Sequence, residues 1–232
     1  MRLHTTTVRS LSALAVLALA GCTTGSTPAD DPVSSASAPT QQEGKHSPVP
    51  ELLSSAALSK RLLDESDLGE GYSRKPQQPR PQDDVVVSGC PALEKLGGDA
   101  AVGDSLAFPR RAKASFTYTG GSDSEVAEEL YSDSAAKLSR GVSRIFDAMI
   151  SCPTYQVFVG STSVDMGTEE VAALPLGDEQ WSQLLTYSVG RQRSVVQQTA
   201  IRIANVLVVV SGSPGVVEAH LAKAVDKVQR TR

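Results

Sequence analysis

Residues 193–230 read RSVVQQTAIRIANVLVVVSGSPGVVEAHLAKAVDKVQR, and this stretch decides the fold. Val206 to Val210 are apolar at every position. A strand of that kind belongs at the centre of a sheet, covered on both faces. The run before it, 193–204, reads as its neighbour. Ala204-Asn205 stands where a two-residue hairpin turn belongs, with Asn tolerating the left-handed conformation. The run after it is a helix. Ser213 can be the N-cap, Pro214 suits the first helical position and Glu218 lies near the positive end of the dipole. Val217, Leu221, Ala224 and Val228 form one apolar stripe, and Lys227, Arg230 and Arg232 lie at the negative end.

Working back toward the N-terminus, QWSQLLTYSV (180–189) places Trp181, Gln183, Leu185, Tyr187 and Val189 on one face of a strand. STSVDMGTEEVAAL and TYQVFVGS read as two more strands. Before them, Leu138, Val142, Ile145 and Met149, with Phe146, predict a helix. Asp133 or Ser134 can cap it, and Cys152-Pro153 ends it. AKASFTYT (112–119) alternates cleanly as a strand closed by Gly120-Gly121. Residues 124–132 fit both periods: Val126, Ala127, Leu130 and Tyr131 make a helical stripe, while Val126, Glu128 and Leu130 make a strand face. Earlier still, Leu52, Leu53, Leu58, Leu62 and Leu63 predict one or two short helices, which Asp64 to Asp67 and Gly69-Glu70-Gly71 end. Residues 73–84 read as an extended loop, and Pro91 to Leu96 as a helical turn stopped by Gly97-Gly98. The plan is α+β: a single domain over 50–232, with an antiparallel sheet of about five to seven strands packed with helices.

The first fifty residues have a different character. Arg2 and Arg9 precede the apolar run LSALAVLALA, which is too short to span a bilayer. Leu19-Ala20-Gly21-Cys22 resembles a bacterial lipobox, so residues 1–21 read as a lipoprotein signal peptide and Cys22 as the lipidated residue. A diacylglyceryl anchor attaches a protein stably where one acyl chain does not. Residues 23–49 hold Ser, Thr, Pro, Ala and Gln with little to bury, so 22–49 reads as the lipidated cysteine and a disordered stalk. The expected location is the extracytoplasmic face of the cell membrane.

The chain has 232 residues and a net charge of −4, which cleavage before Cys22 would bring to about −6. No positive field exists to draw a nucleic acid. Of the three cysteines, Cys22 goes to lipid. Cys90 and Cys152 remain in an oxidising compartment, where an even pair reads as one disulfide.

Motifs for chemistry are missing. There is no G-x-S-x-G elbow, P-loop, G-x-G-x-x-G or H-E-x-x-H, and no metal-ligand spacing. His220 sits at the edge of the last helix's stripe and reads as packing or surface. Glu125, Glu128 and Glu129 read as a solvated face. Arg110, Arg111 and Lys113, with Arg191 and Arg193, are small basic groups able to meet an anionic glycan or phosphate. Trp181 and Tyr187 are able to line a cleft, though core packing suits them better. Trp181, Tyr187, Arg191 and Arg193 are thus the candidate ligand contacts. No catalytic residue, cofactor or metal is expected.

Leu62-Leu63, Asp67-Leu68, Gly71-Tyr72, Cys90-Pro91 with Leu93, Cys152-Pro153 and Leu176-Gly177-Asp178 resemble a family of actinobacterial lipoproteins. That family is related to the extracellular sensor domain of PknH-type receptor serine/threonine kinases, and the resemblance covers about 50–232. It implies a compact α+β domain with an antiparallel sheet and a ligand-binding cleft. It favours the strand for 124–132 and transfers no catalytic residue. The kinase sensor has two disulfides where this chain has cysteines for one, and relatives often carry Gly-Asn where Ala204-Asn205 stands. No kinase domain or transmembrane helix accompanies the domain, so signalling would need a separate membrane partner. The expected function is therefore a membrane-anchored, non-catalytic ligand-binding or sensor module, its partner an envelope ligand or a membrane protein. A cell-envelope hydrolase or envelope assembly protein is the alternative.

Overall fold

Val206–Gly212, the apolar run of the sequence, forms the fourth strand across an antiparallel sheet of nine among the described residues. The computed structural model describes residues 51–77, 85–97, 108–120 and 124–230. All of them fall in one compact unit. The expected signal peptide, Cys22 and stalk lie outside the described residues, as do 78–84 of the expected loop. In chain order the elements are α1 (Ser55–Ser59), α2 (Glu65–Leu68), β1 (Tyr72–Arg74), β2 (Val85–Ser88), α3 (Pro91–Glu94), β3 (Arg111–Tyr118), β4 (Glu125–Ser132) and α4 (Ala135–Ile150). There follow β5 (Thr154–Val159), β6 (Thr162–Glu170), β7 (Glu179–Val189), β8 (Gln192–Ile203), β9 (Val206–Gly212) and α5 (Pro214–Arg230). Across the sheet the strands lie in the order β1-β3-β4-β9-β8-β7-β6-β5-β2.

The alternation of β9 divides the core. Val206, Val208 and Val210 pack with Leu58, Leu63, Leu68, Leu221 and Val228, from α1, α2, α5 and the turns beside them. Leu207 and Val209 point the other way, onto Leu138, Val142 and Phe146 of α4. A third cluster joins Met149 of α4 and Leu93 of α3 to Tyr155, Val157, Met166 and Leu185. The sheet is thus the middle of three layers. The Cys90–Cys152 disulfide, with its Cα atoms 5.7 Å apart, fastens the start of α3 to the end of α4.

Nine strands exceed the expected five to seven, and the two additional ones are the shortest. β1 has three residues and β2 has four, too few for a period to show, and they form the two edges of the sheet. Residues 124–132 are the strand that the resemblance favours. Asp64 begins a helix rather than ending one: its carboxylate accepts the N–H groups of Ser66 and Asp67, and the Asp67 side chain reaches back to the Asp64 N–H. At the β8–β9 turn the left-handed φ falls on Ala204 (52°) and not on Asn205. Asn205 is anchored instead by its side chain, which donates to the Glu51 carbonyl at 2.5 Å.

Candidate functional site

β1 pairs only with residues 116–118 of β3. The N-terminal half of β3 therefore has β4 along one side and a cavity of about 910 Å³ along the other. Even-numbered residues of β3, Ala112, Ala114 and Phe116, turn into the core below α1 and α2. Odd-numbered Arg111, Lys113 and Ser115 turn to the opposite face. Residues 74–77, leaving β1, form the far wall, where the Lys75 N–H donates to the Ser115 carbonyl at 2.8 Å and the Gln77 amide to the Lys113 carbonyl at 2.5 Å. Ser59 and Leu62 close one end, and Glu125, Glu129 and Tyr131 of β4 line the other side.

Charge here is arranged by register. Lys113 lies directly across from Glu129 and pairs with it at 2.5 Å. The Tyr131 hydroxyl donates to the same carboxylate. Lys75 pairs with Glu125. The Arg74 guanidinium lies over the Phe116 ring, 5.6 Å from its centroid.

Behind this wall Glu128 overturns the reading of 125–129 as a solvated face. It is 1% exposed, among Val126, Leu130 and the β9 valines, because a strand covered on both faces turns every second residue inward whatever its type. Its Oε2 accepts the Leu63 N–H at 2.6 Å and its Oε1 has no partner. Burial pushes its carboxyl up to about 8, with the Leu63 N–H acting in the opposite sense. Glu128 therefore holds its proton well above the usual carboxylate range.

The four candidate ligand contacts do not converge. Trp181 is half-buried against the α4 cluster, and Tyr187 packs beside Tyr155 and Met166. Burial pushes the Tyr187 hydroxyl up to about 12. Six residues of one strand, on the order of 20 Å, separate the two rings. Arg191 and Arg193 are exposed at the β7–β8 turn. Of the other basic group, Arg111 and Lys113 do line the cavity, where Arg74 and Lys75 join them. Sequence reasoning missed the last two because they sit in a proline-rich segment without periodicity. His220 stacks edge-on against Tyr72, with Nε2 3.2 Å from its hydroxyl. Among the described residues no group of three or more His, Cys, Asp or Glu is placed to hold a metal, and no helix is long and apolar enough to cross a membrane.

No family model matches the chain, and no curated protein matches it in sequence. Among solved structures it is similar to the extracellular domain of PknH from Mycobacterium tuberculosis, with a TM-score of 0.58 and 18% identity over 78% of this chain and 98% of that one. That similarity establishes a shared fold. An Rv0999 ortholog from Mycobacterium smegmatis aligns with a TM-score of 0.39 and 11% identity, over 70% of this chain and 92% of that one.

Proposed function

We propose that this chain is a non-catalytic sensor module of the bacterial envelope, held on the outer face of the cell membrane by a lipid on Cys22, and that it captures a small ligand in the cavity beside β3. The observation that carries the reading is the cavity itself: about 910 Å³, walled by four chain segments, with Lys113 held by Glu129, Lys75 by Glu125 and Arg74 by the Phe116 ring. The fold shared with an extracellular domain supports the location. The lipobox-like Leu19-Ala20-Gly21-Cys22 supports the anchor.

The test is a thermal-shift screen of the full chain against cell-envelope fragments, including muropeptides and envelope sugars. One class is expected to raise the melting temperature and to be recovered unchanged. Turnover of that class would overturn the non-catalytic reading, and the absence of any response would overturn the binding one. Cys22→Ala is expected to abolish lipid labelling and release the protein from the membrane; labelling that persists would reject the anchor.

A further inference from the structure

The sheet is clothed unevenly. On one face α1, α2 and α5 pack over β1, β3, β4, β9 and β8, while α3 and α4 lie on the other. Thr199 pairs with Val210, which faces α5, so the odd-numbered residues of β8 share that face. Beyond β8, the same face of β7, β6 and β5 has no helix over it among the described residues. The registers place Ser88, Gln156, Asp165, Ser188 and Arg193 in one row across it, and Gly167, Thr186 and Val195 in the next. Val195 is 40% exposed, and Val195, Leu184, Phe158 and Val86 enter none of the three core clusters.

Gly167 stands inside β6, where a glycine weakens the strand and marks a close approach from outside it. At Gly177 and Gly212 the chain itself supplies the reason, since a Cβ would lie 2.5 Å from a backbone oxygen. At Gly167 it supplies none: a Cβ there would meet the Thr186 Cβ at 3.5 Å and nothing closer. The two charges of the polar row are equally unexplained. Asp165 accepts the Gln156 amide at 2.8 Å and Arg193 is exposed, and neither has an ion-pair partner among the described residues. They stand one strand to either side of Ser188.

We infer that this face packs against the same face of a second copy of the chain, related to it by a two-fold axis running along β7. Such an axis lays β8 of each copy over β6 of the other. Arg193 then meets Asp165 of the second copy, and Val195 stands over the bare backbone of Gly167. Thr186 and Leu184, on β7, meet their own counterparts, and Glu169 falls opposite the uncharged Gln197. Self-association across a dyad needs an acid and a base at equal distances from it, and this row has both; a row of one sign would repel its own copy. Two sheets stacked face to face about 10 Å apart are an ordinary packing of strands. Four strands about 5 Å apart offer a face of roughly 20 Å by 20 Å, at the small end of specific interfaces, so the dimer is reversible.

Sedimentation equilibrium of the full chain is expected to show a weight-average mass that climbs with concentration toward that of two chains. Asp165→Arg and Arg193→Asp, each alone, set like charges together at both ends of the dyad and are expected to weaken association by about tenfold or more. The double swap restores both pairs and is expected to associate as the parent does. Gly167→Leu fills the gap that receives Val195. It is expected to leave a monomer with the parent's far-UV circular dichroism, because the added Cβ fits within one copy. A chain that stays monomeric up to about millimolar concentration would overturn the dimer. So would association indifferent to these substitutions, which would place the contact on another surface, and so would a double swap no tighter than its single variants.

Discussion

Glu128 holds a carboxyl group in the middle of the core with one oxygen on the Leu63 N–H and the other unpartnered. Its folded value of about 8 lies above the ordinary 4.5, so the native state keeps a proton that the unfolded chain releases. Its contribution to stability is whole below about pH 4.5 and is lost progressively as the pH rises toward 8. Glu128→Gln keeps the acceptor and abolishes the titration. The variant is expected to match the parent near pH 4 and to exceed it at pH 8 by something on the order of 4 kcal/mol, read from urea unfolding across that window. A second residue prediction concerns Ala204, whose φ of 52° costs an L side chain about 1–2 kcal/mol. Asp178 holds the strained turn by accepting from the Ala204 N–H at 2.7 Å and from Arg202 at 3.0 Å. Gly177 lets that loop approach closely, since a Cβ there would lie 2.5 Å from the Arg202 carbonyl. This gives Leu176-Gly177-Asp178 its structural meaning. Ala204→Gly is expected to stabilise by about 0.5–1 kcal/mol after the extra entropy of glycine, raising the melting temperature by a few degrees. At this scale the sequence was least legible: Glu128 reads like any other acid until its strand is known to be covered on both faces.

Among the elements, the disulfide carries the clearest expectation. Cys90 and Cys152 are 62 residues apart, and their bond ties β2 and α3 to α4 and β5. Replacing both by serine is expected to cost about 2–4 kcal/mol in urea unfolding. Hydrogen-exchange protection should fall first in β2 and α3, which have few other attachments, while β8 and β9 keep theirs. Element by element, legibility followed length. β9, α4 and α5 are long and strictly periodic, and their apolar stripes end up buried as the spacing requires. β1 and β2 are too short to carry a period, so they were absent from the expected strand count. α2 is hidden in the sequence because Asp64 and Asp67 resemble a helix end as readily as a capping box. The cavity escaped for a related reason: residues 59–62, 74–77, 111–115 and 125–131 meet there, and no spacing rule links four separate segments.

The whole molecule has one sheet serving clusters on both of its faces, so neither face can keep its packing when the sheet opens. Trp181, the single tryptophan, reports the α4 side, while far-UV circular dichroism reports all elements. The two signals are expected to trace one coincident transition in urea at every protein concentration tested; a separated fluorescence transition would mean that the α4 layer melts alone. Sheets of this size also carry a hazard outside folding, because each rim strand offers bare backbone to a second molecule. Here β1 and β2 cut both rims to a few residues, and the half of β3 beyond β1 carries Arg111 and Lys113. Two copies approaching rim to rim at β3 would bring like charges together. The cations of the cavity thereby also guard the protein against self-association, and a variant that neutralises them trades away colloidal stability.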